Sequence, residues 1–180
     1  MPEFFNVLPP AQALKVLLDR LEPRPVSPAM DVPITEALGR VTAQVTHATE
    51  DLPSFPRSTM DGYSLRAADT FGASEGTPAY FTIAGDVPMG KPAGVSVGTG
   101  DAALAYTGGM LARGADAVIM VENTQQVDAT TIEVIRPVAH GENVVQPGED
   151  VKRGEVILPA GHYLRPQDLG GRAPRGITAV

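Results

Sequence analysis

A carboxylate beside a glycine is the most distinctive chemical group of this sequence. Residues 52–63 read Leu-Pro-Ser-Phe-Pro-Arg-Ser-Thr-Met-Asp-Gly-Tyr, so that Asp61 directly precedes Gly62. Asp-Gly is typical of a hairpin turn in which the glycine takes a positive φ. A carboxylate on such a rigid turn can bind Mg²⁺ or position a polar substrate. The competing interpretation is a structural turn in which Ser58 and Asp61 satisfy the local backbone, and the pattern alone favours it.

A threonine followed by two glycines is the second candidate. Thr107, Gly108 and Gly109 follow the apolar run 103–106. Successive N–H groups at such a turn can form a nest for an oxyanion, and the threonine hydroxyl can donate a further hydrogen bond. A plain Gly-Gly turn is again the simpler interpretation. No Gly-x-x-x-x-Gly-Lys-Ser/Thr motif occurs, and residues 98–101 lack the third glycine of a dinucleotide fingerprint.

Other reactive residues lack the spacing that their chemistry needs. Asp116 and Glu122 flank an apolar run, and an extended chain of that length holds them about 20 Å apart, too far to act on one bond. His47, His140 and His162 do not have the spacing of a zinc site. Because the chain has no cysteine, neither a disulfide nor a thiolate metal site can form.

The net charge and hydropathy of the sequence exclude some classes of binding partner. The net charge of the 180 residues is -7, and no run of Lys or Arg occurs. Nucleic-acid binding is disfavoured, because a phosphate backbone is neutralised by clustered cations. No stretch of about 18 apolar residues occurs, and the first residues lack a basic region before an apolar run. We therefore expect a cytoplasmic protein without a membrane segment.

An amphipathic helix is expected near the start of the chain. Over residues 10–22, leucines recur at the spacing that places them on one face of a helix. These are Leu14, Leu17, Leu18 and Leu21. Two prolines suit the first turn, and Pro23 ends the helix. The proline-rich residues 23–35 predict an extended connector, and Gly39 is expected to close a helical turn before a strand that starts over residues 41–45.

The rest of the chain reads as short strands between turns. Five apolar runs have strand-forming composition and no helical periodicity between them. They cover residues 81–84, 103–106, 117–121, 131–135 and 156–158. The pattern predicts a mainly β protein with short helices, an α+β fold whose sheet is mostly antiparallel. A helix is expected after Arg165, interrupted by glycines and a proline over 170–176, and residues 177–180 are expected to enter a further strand.

Four blocks, in this order, resemble one known family. They are residues 36–41, 53–63, 107–122 and 141–154. Together they are similar to the N-terminal region of the molybdopterin molybdenumtransferases, the MoeA and gephyrin family, and the resemblance runs from the first helix to about residue 170. Because agreement of four ordered blocks by chance is improbable, the functional interpretations of Asp61 and Thr107 gain over the structural ones.

The resemblance implies a role in molybdenum cofactor biosynthesis. Enzymes of this family insert molybdate into adenylylated molybdopterin and release AMP, with Mg²⁺ assisting. They are elongated homodimers whose active site lies between two subunits, and molybdopterin adenylyltransferase is a further expected partner. The second hypothesis is a non-catalytic dimerisation or scaffold module of the same family. The third, an unrelated carboxylate-dependent hydrolase, has less support.

The resemblance also implies a set of site residues. Asp61 and Thr107 match positions of the family's cleft, so that they are expected to be catalytic. Asp61 would orient metal, water or molybdate, and Thr107 would donate to an oxyanion. The residues expected to contact substrate are Ser58, Gly62, Gly108 and Glu122. Asp61 is also the expected metal ligand.

The family's domain organisation gives the expected boundaries. Residues 1–25 form a helix that would pack on a nucleotide-binding α/β domain, which in the family comes after this region. Residues 26–49 and 141–180 form an elongated first domain. Residues 50–140 form an inserted β-rich domain that carries the Ser-Thr-Met-Asp-Gly-Tyr motif. Because the nucleotide-binding domain is missing from these 180 residues, the isolated chain is expected to be inactive.

Three segments depart from the family's pattern. Residues 109–112 stand where a small residue and then a proline usually precede a glycine. Val145 stands where an arginine is frequent, so that one anion contact is expected to be missing. Residues 170–176 replace an apolar helix with a glycine-rich segment.

Overall fold

A single exposed helix precedes the β structure. The computed structural model describes residues 7–21 and 28–170 of the chain. Helix α1 spans Pro10–Arg20, with a proline in its first turn and the Leu21 N–H bonded to the carbonyls of Leu17 and Leu18. The expected helix is confirmed. None of its residues is buried, and its four stripe leucines are 55–59% exposed. The stripe therefore packs on no part of the chain that the structure describes.

Two distant segments pair along an antiparallel ladder. As residue numbers rise along the first segment they fall along the second. From the outer end inward, the pairs are Val41 with Tyr163, β1 (Thr46–His47) with β10 (Val156–Leu158), Leu52 with Val151, and β2 (Arg57–Ser58) with β9 (Val144–Val145). The innermost pair of the ladder joins Ser58 to Val144. The chain between them, residues 59–143, therefore starts and ends at the same end of the ladder.

The first segment of the ladder differs in detail from expectation. A 3₁₀ helix covers Ile34–Glu36, and Gly39 has a φ of 77°, so that the predicted helical turn with a closing glycine is confirmed. The strand expected over residues 41–45 was wrong. Only an isolated bridge forms at Val41, and β1 begins at Thr46, because the intervening residues bend before pairing resumes.

A six-stranded sheet forms the main layer. Its strands are β3 (Gly62–Leu65), β4 (Ala79–Asp86), β5 (Asp101–Ala105), β6 (Ala117–Met120), β7 (Thr124–Gln126) and β8 (Thr131–Val134). Their order is β6-β3-β5-β4-β8-β7, and only the β4–β5 pair is parallel. The prediction of an α+β fold with a mostly antiparallel sheet is confirmed. The parallel pair is joined by residues 87–100, which contain no helix.

Each face of this sheet has its own apolar core. One core joins residues of β3, β4, β5, β6 and β8, with Phe81 and Ile119 each 1% exposed, so that the sheet curls around it. The other core packs Ala103 of β5 beneath Val87, Val97 and Ala112 of the two adjoining loops. Consecutive residues of β5 thus face opposite cores, as the alternation of a strand requires.

The prediction of a turn at Asp61-Gly62 was wrong. Gly62 is the first residue of β3, paired with Ala105 on one side and Met120 on the other, and it is not among the glycines with positive φ. Its role is steric. A Cβ at this position would lie 1.9 Å from the carbonyl oxygen of Ile119, so that glycine is required by the approach of β6. Strand β7 was likewise not predicted, because no apolar run covers Thr124–Gln126.

The chain's last described element is a short helix. Helix α2 spans Pro166–Gly170, which confirms the helix expected after Arg165. The interruption expected over 170–176, beyond Gly170, and the strand expected over 177–180 lie outside the described residues. None of the described helices is long and apolar enough to cross a membrane.

Replacing Gly62 by alanine tests the steric role. We expect G62A to lose about 3 kcal/mol of unfolding free energy, because the new methyl group meets backbone atoms that cannot move independently. Chemical denaturation measures the change. G76A is the matched control, since a Cβ at Gly76 meets nothing within 4 Å. Equal denaturation midpoints for the two variants would contradict this account of β3.

Candidate functional site

Asp61 and Thr107 form a hydrogen-bonded pair at the surface. Asp61 Oδ1 accepts the backbone N–H of Thr107 at 2.8 Å and its hydroxyl at 2.9 Å. Both residues are exposed. The second oxygen of the carboxylate, Oδ2, has no hydrogen bond to any residue that the structure describes. The structure therefore brings the two expected catalytic residues together and leaves one carboxylate oxygen facing solvent.

The pair controls the protonation of the carboxyl group. The backbone N–H of Thr107, followed by its hydroxyl, holds the pKa of Asp61 below its ordinary value. Both donors bind the charged form more strongly than the neutral acid, which is the physical cause of the shift. Asp61 is therefore an anion at neutral pH, fixed through one oxygen and available for a cation or a polar ligand at the other.

Ser58 positions the segment that carries Asp61. Its side chain is 1% exposed, and its hydroxyl donates to the carbonyl of Met60 at 2.5 Å and accepts the N–H of Met60 at 3.2 Å. The carbonyl of Asp61 in turn accepts the N–H of Val121 at 3.1 Å. The hydroxyl of Ser58, expected to contact substrate, is thus committed to the local backbone.

The turn that carries Thr107 is fixed by the same serine. Gly108 donates its N–H to the carbonyl of Ser58 at 2.7 Å, and Ser58 donates its N–H to the carbonyl of Gly109 at 2.9 Å. The N–H of Gly109 also closes the turn onto the carbonyl of Tyr106 at 2.8 Å, with Gly108 at a φ of 79°. This positive φ is the one a glycine supplies at the third position of such a turn.

The N–H groups of this turn are occupied, which agrees with the simpler interpretation of a plain Gly-Gly turn. The N–H groups of Thr107, Gly108 and Gly109 all donate to atoms of the chain itself. The threonine hydroxyl, expected to donate to an oxyanion, donates to Asp61 instead. The anion that the turn binds is therefore the carboxylate of Asp61.

Met89 covers the two glycines. A Cβ at Gly109 would lie 2.9 Å from the carbonyl oxygen of Tyr106 and 3.2 Å from Met89 Sδ, and one at Gly108 would lie 3.8 Å from Met89 Cε. The methionine belongs to the loop between β4 and β5. The turn is thus packed on one side although it lacks the family's usual proline.

Glu122 lies at the same end of the sheet as Asp61. It occupies the 3₁₀ helix Val121–Asn123 and is exposed, one residue beyond the backbone partner of Asp61. Asp116 lies at the opposite end of β6, where it accepts the N–H of Ala67 at 2.7 Å. The two acids therefore do not meet, and Asp116 holds a neighbouring 3₁₀ helix in place.

Metal ligands are few at this site. No group of three or more His, Asp or Glu that could hold a metal ion occurs among the described residues. His47 bonds to the carbonyl of Gly154 and His162 bonds to Asp168, both within the ladder region. The free oxygen of Asp61 is a hard donor of the kind that Mg²⁺ prefers. Asp61 fits a metal as one ligand of a set completed by other groups.

Arg57 is a residue that the sequence reasoning missed. Its Nη2 lies 3.2 Å from Asp150 Oδ2, and the two side chains are 40% and 57% exposed. On β2 it pairs with Val145 of β9 and forms a bridge to Met110, beside the Thr107 turn. No spacing could reveal this pair, because its members are 93 residues apart.

A groove lies elsewhere on the described part of the chain. It is lined by residues 28–32, residues 40–47 and Leu164, all belonging to the ladder region. Neither Asp61 nor Thr107 contributes to it. We assign the site to the exposed Asp61–Thr107 pair, because it holds a carboxylate through two hydrogen bonds at one oxygen.

Comparison with known proteins identifies the chain's family. The model of the MoeA N-terminal region, domains I and II, matches residues 8–176. A putative molybdopterin biosynthesis protein of Methanocaldococcus jannaschii is 37% identical over 180 residues, covering 97% of this chain and 42% of that protein. A molybdopterin molybdenumtransferase of Staphylococcus aureus is 29% identical over 175 residues, covering 97% of this chain and 41% of that protein.

Comparison with solved structures also finds a protein of this kind. The crystal structure of the molybdopterin biosynthesis MoeA protein from Pyrococcus horikoshii has a TM-score of 0.86 at 43% identity, covering 94% of this chain and 44% of that one. The chain belongs to the MoeA family and corresponds to its N-terminal region. The resemblance carried by the four sequence blocks is thereby confirmed. The chain spans less than half the length of these relatives.

Replacing Thr107 by valine tests the cause of the lowered pKa. T107V removes the hydroxyl donor and keeps the backbone N–H, so that the pKa of Asp61 rises part of the way toward its ordinary value. Titration of the carboxyl ¹³C resonance by NMR measures the shift. Since the native pKa is lowered, the stability contributed by this pair is present above the unfolded pKa and lost as the pH falls through the native one.

A second carboxylate provides the control. Asp128 Oδ1 accepts the N–H and the hydroxyl of Thr130, at 2.7 and 3.0 Å, and its pKa is also lowered. T130V should raise the pKa of Asp128 and leave Asp61 unchanged. If the pKa of Asp61 is the same in T107V as in the native chain, the Thr107 hydroxyl does not contribute to lowering it.

Proposed function

We propose that this chain supplies one half of the active site of an enzyme that inserts molybdate into adenylylated molybdopterin and releases AMP. Membership of the MoeA family and the names of its relatives support a role in molybdenum cofactor biosynthesis. The observation that carries the proposal is the Asp61–Thr107 pair. It holds an ionised carboxylate on the surface with one oxygen uncommitted.

Each site residue has a distinct part in the proposal. Asp61 uses Oδ2 to bind Mg²⁺ or to orient molybdate, and Thr107 fixes its charge and direction. When bound, Mg²⁺ supplies a Lewis acid that neutralises charge on the phosphate and molybdate oxygens. Gly62 acts through the close approach of β6 and Gly108 through its positive φ, and Glu122 places a second carboxylate at the same end of the sheet.

Ser58 takes a positioning role in place of the expected substrate contact. It is buried, its two backbone hydrogen bonds reach the glycines that follow Thr107, and its hydroxyl bonds to the backbone of Met60, which precedes Asp61. Through these bonds it sets the distance between the two catalytic residues without touching a ligand.

The site is open, and its remaining groups belong elsewhere. Asp61 is exposed and does not line the groove of the ladder region. We propose that a homodimer partner and a nucleotide-binding domain complete it, so that the isolated chain is inactive. A first domain of residues 26–49 and 141–180 with an inserted domain of residues 50–140 stays a prediction, since the ladder continues past residue 49 through Leu52 and β2.

A non-catalytic dimerisation module is the second candidate function. The exposed leucine stripe of α1 favours it, since unpartnered apolar surface of this kind marks interaction sites. A cytoplasmic location and an association with molybdopterin adenylyltransferase stay predictions. Both candidate functions are compatible with the fold, and they differ in whether Asp61 is needed.

A graft tests the catalytic proposal. In a chimera where this chain replaces the matching region of the Pyrococcus horikoshii MoeA protein, D61N should lower molybdenum insertion by about 100-fold or more. T107V should lower it by about tenfold, because one donor to the charged carboxylate is lost. The assay follows the molybdenum cofactor formed from adenylylated molybdopterin and molybdate.

The matched control is D128N. Asp128 has the same pair of threonine donors as Asp61 but lies beside β7 and β8, away from the site, so that D128N should leave insertion unchanged. If the chimera is active and D61N is as active as the native graft, Asp61 is not catalytic and the scaffold function is favoured.

Sedimentation of the isolated chain tests the association. We expect twice the single-chain mass, and a single-chain mass for the double variant L14E/L18E, because two charges on the stripe prevent its burial. V127E is the control, since Val127 is 53% exposed and lies outside α1. A dimer that survives L14E/L18E would place the contact on the β structure instead.

A further inference from the structure

We propose that Arg57 is the anion-binding residue of the Asp61 site, and that its guanidinium, held ready by Asp150, receives a tetrahedral oxyanion of the substrate. The inference rests on the proposed function and adds to it the residue that contacts phosphate or molybdate. No sequence pattern marked Arg57 as functional.

The first support is its position in the backbone. Arg57 lies on β2, with Val145 of β9 on one side and Met110 on the other. The next residue, Ser58, exchanges hydrogen bonds with the two glycines that follow Thr107. The hydrogen bonds that fix the Asp61–Thr107 pair therefore also fix the Cα of Arg57 beside it.

The second support is the distribution of charge. The segments that build this region are residues 51–61, 106–110, 121–123 and 142–151. They contain six carboxylates, namely Asp51, Asp61, Glu122, Glu142, Glu149 and Asp150. Their only Lys or Arg is Arg57. Glu142 is paired with Arg136 from outside these segments, so that Arg57 is the one cation that the segments themselves offer to an oxyanion near Asp61.

The third support is the shortage of other donors. The backbone N–H groups of the Thr107 turn, which could have bound an oxyanion, all donate within the chain. Arg57 donates from Nη2 to Asp150, while its Nε and Nη1 have no hydrogen bond to a described residue. A guanidinium presents its donors as a planar fork that matches two oxygens of a phosphate or molybdate group.

The ion pair with Asp150 suits an exchangeable ligand. Both side chains are substantially exposed, and ion pairs of this kind contribute little to stability. Asp150 therefore orients the guanidinium without a strong hold on it. A dianion can share or replace the carboxylate at small cost, because the pair contributes little to stability.

The experiment is an anion titration of the 180-residue chain, followed through the backbone amide resonances of residues 57–61 and 107–110 in NMR, which every variant retains. Sodium molybdate and inorganic pyrophosphate are titrated separately, so that the two sources of a tetrahedral oxyanion are distinguished. We expect saturable binding of at least one probe. R57A should weaken it by about tenfold or more, and R57K should retain part of it because the charge remains without the fork.

R113A is the matched control. Arg113 is also exposed and donates from Nε to Ser96 at 3.3 Å, but it precedes β6 at the end opposite to Asp61. The R113A variant should bind molybdate and pyrophosphate with the same affinity as the native chain. Thermal unfolding of R57A should match that of the native chain, because the Arg57–Asp150 pair contributes little, and this separates lost binding from lost fold.

The outcomes are decisive in either direction. Unchanged affinity in R57A, an equal loss in R113A, or no binding by the native chain overturns the assignment of Arg57. Failure of the proposed function is recognised separately, since it appears as an active D61N graft. Anion binding through Arg57 together with an active D61N graft would retain the anion site and remove the proposed catalysis by Asp61.

Discussion

The exchange of hydrogen bonds between Ser58 and the Gly108–Gly109 pair joins the two halves of the site. Ser58 accepts from Gly108 and donates to Gly109, so that segments about fifty residues apart along the chain are held in one register. Asp61 and Thr107 are then within hydrogen-bond distance because each lies a few residues from this junction. The ionised state of Asp61, its direction and the placement of Arg57 all depend on the same junction.

Steric constraints explain why small residues surround this junction. At Gly62 any side chain would collide with the carbonyl of Ile119, and at Gly109 it would meet Tyr106 and Met89. These glycines allow β6 and the Met89 loop to approach the backbone closely. The antiparallel ladder returns the chain to β9 beside β2, which brings Asp150 within reach of Arg57. Local geometry and long-range topology therefore determine the same few contacts.

Periodicity and composition predicted the elements that are stabilised by local pattern. Leucine spacing predicted α1, and the apolar runs predicted strands that overlap β4, β5, β6, β8 and β10, because alternation and branching bias the backbone directly. The strand at Gly62 was missed, since Asp-Gly resembles a turn until its neighbours β5 and β6 are known. The four sequence blocks predicted the family and with it the candidate residues Asp61 and Thr107.

The sequence could not predict which donors and acceptors pair when they lie far apart along the chain. The Thr107 turn resembled an anion nest, yet the N–H groups of Thr107 and Gly108 donate to residues some fifty positions earlier in the chain, and that of Gly109 closes the turn itself. The Arg57–Asp150 pair spans 93 residues and has no local signature. Hydrogen-bond partners of this kind are set by the register of the ladder, which a single sequence does not display.

The Thr107 amide proton reports the central interaction most directly. If its N–H donates to an ionised Asp61 carboxylate, its NMR resonance shifts upfield as the pH falls, with a midpoint below the ordinary pKa of an aspartate. The shift should be absent in D61N. A Thr107 resonance that does not respond to pH in the native chain, or that responds equally in D61N, would contradict the account.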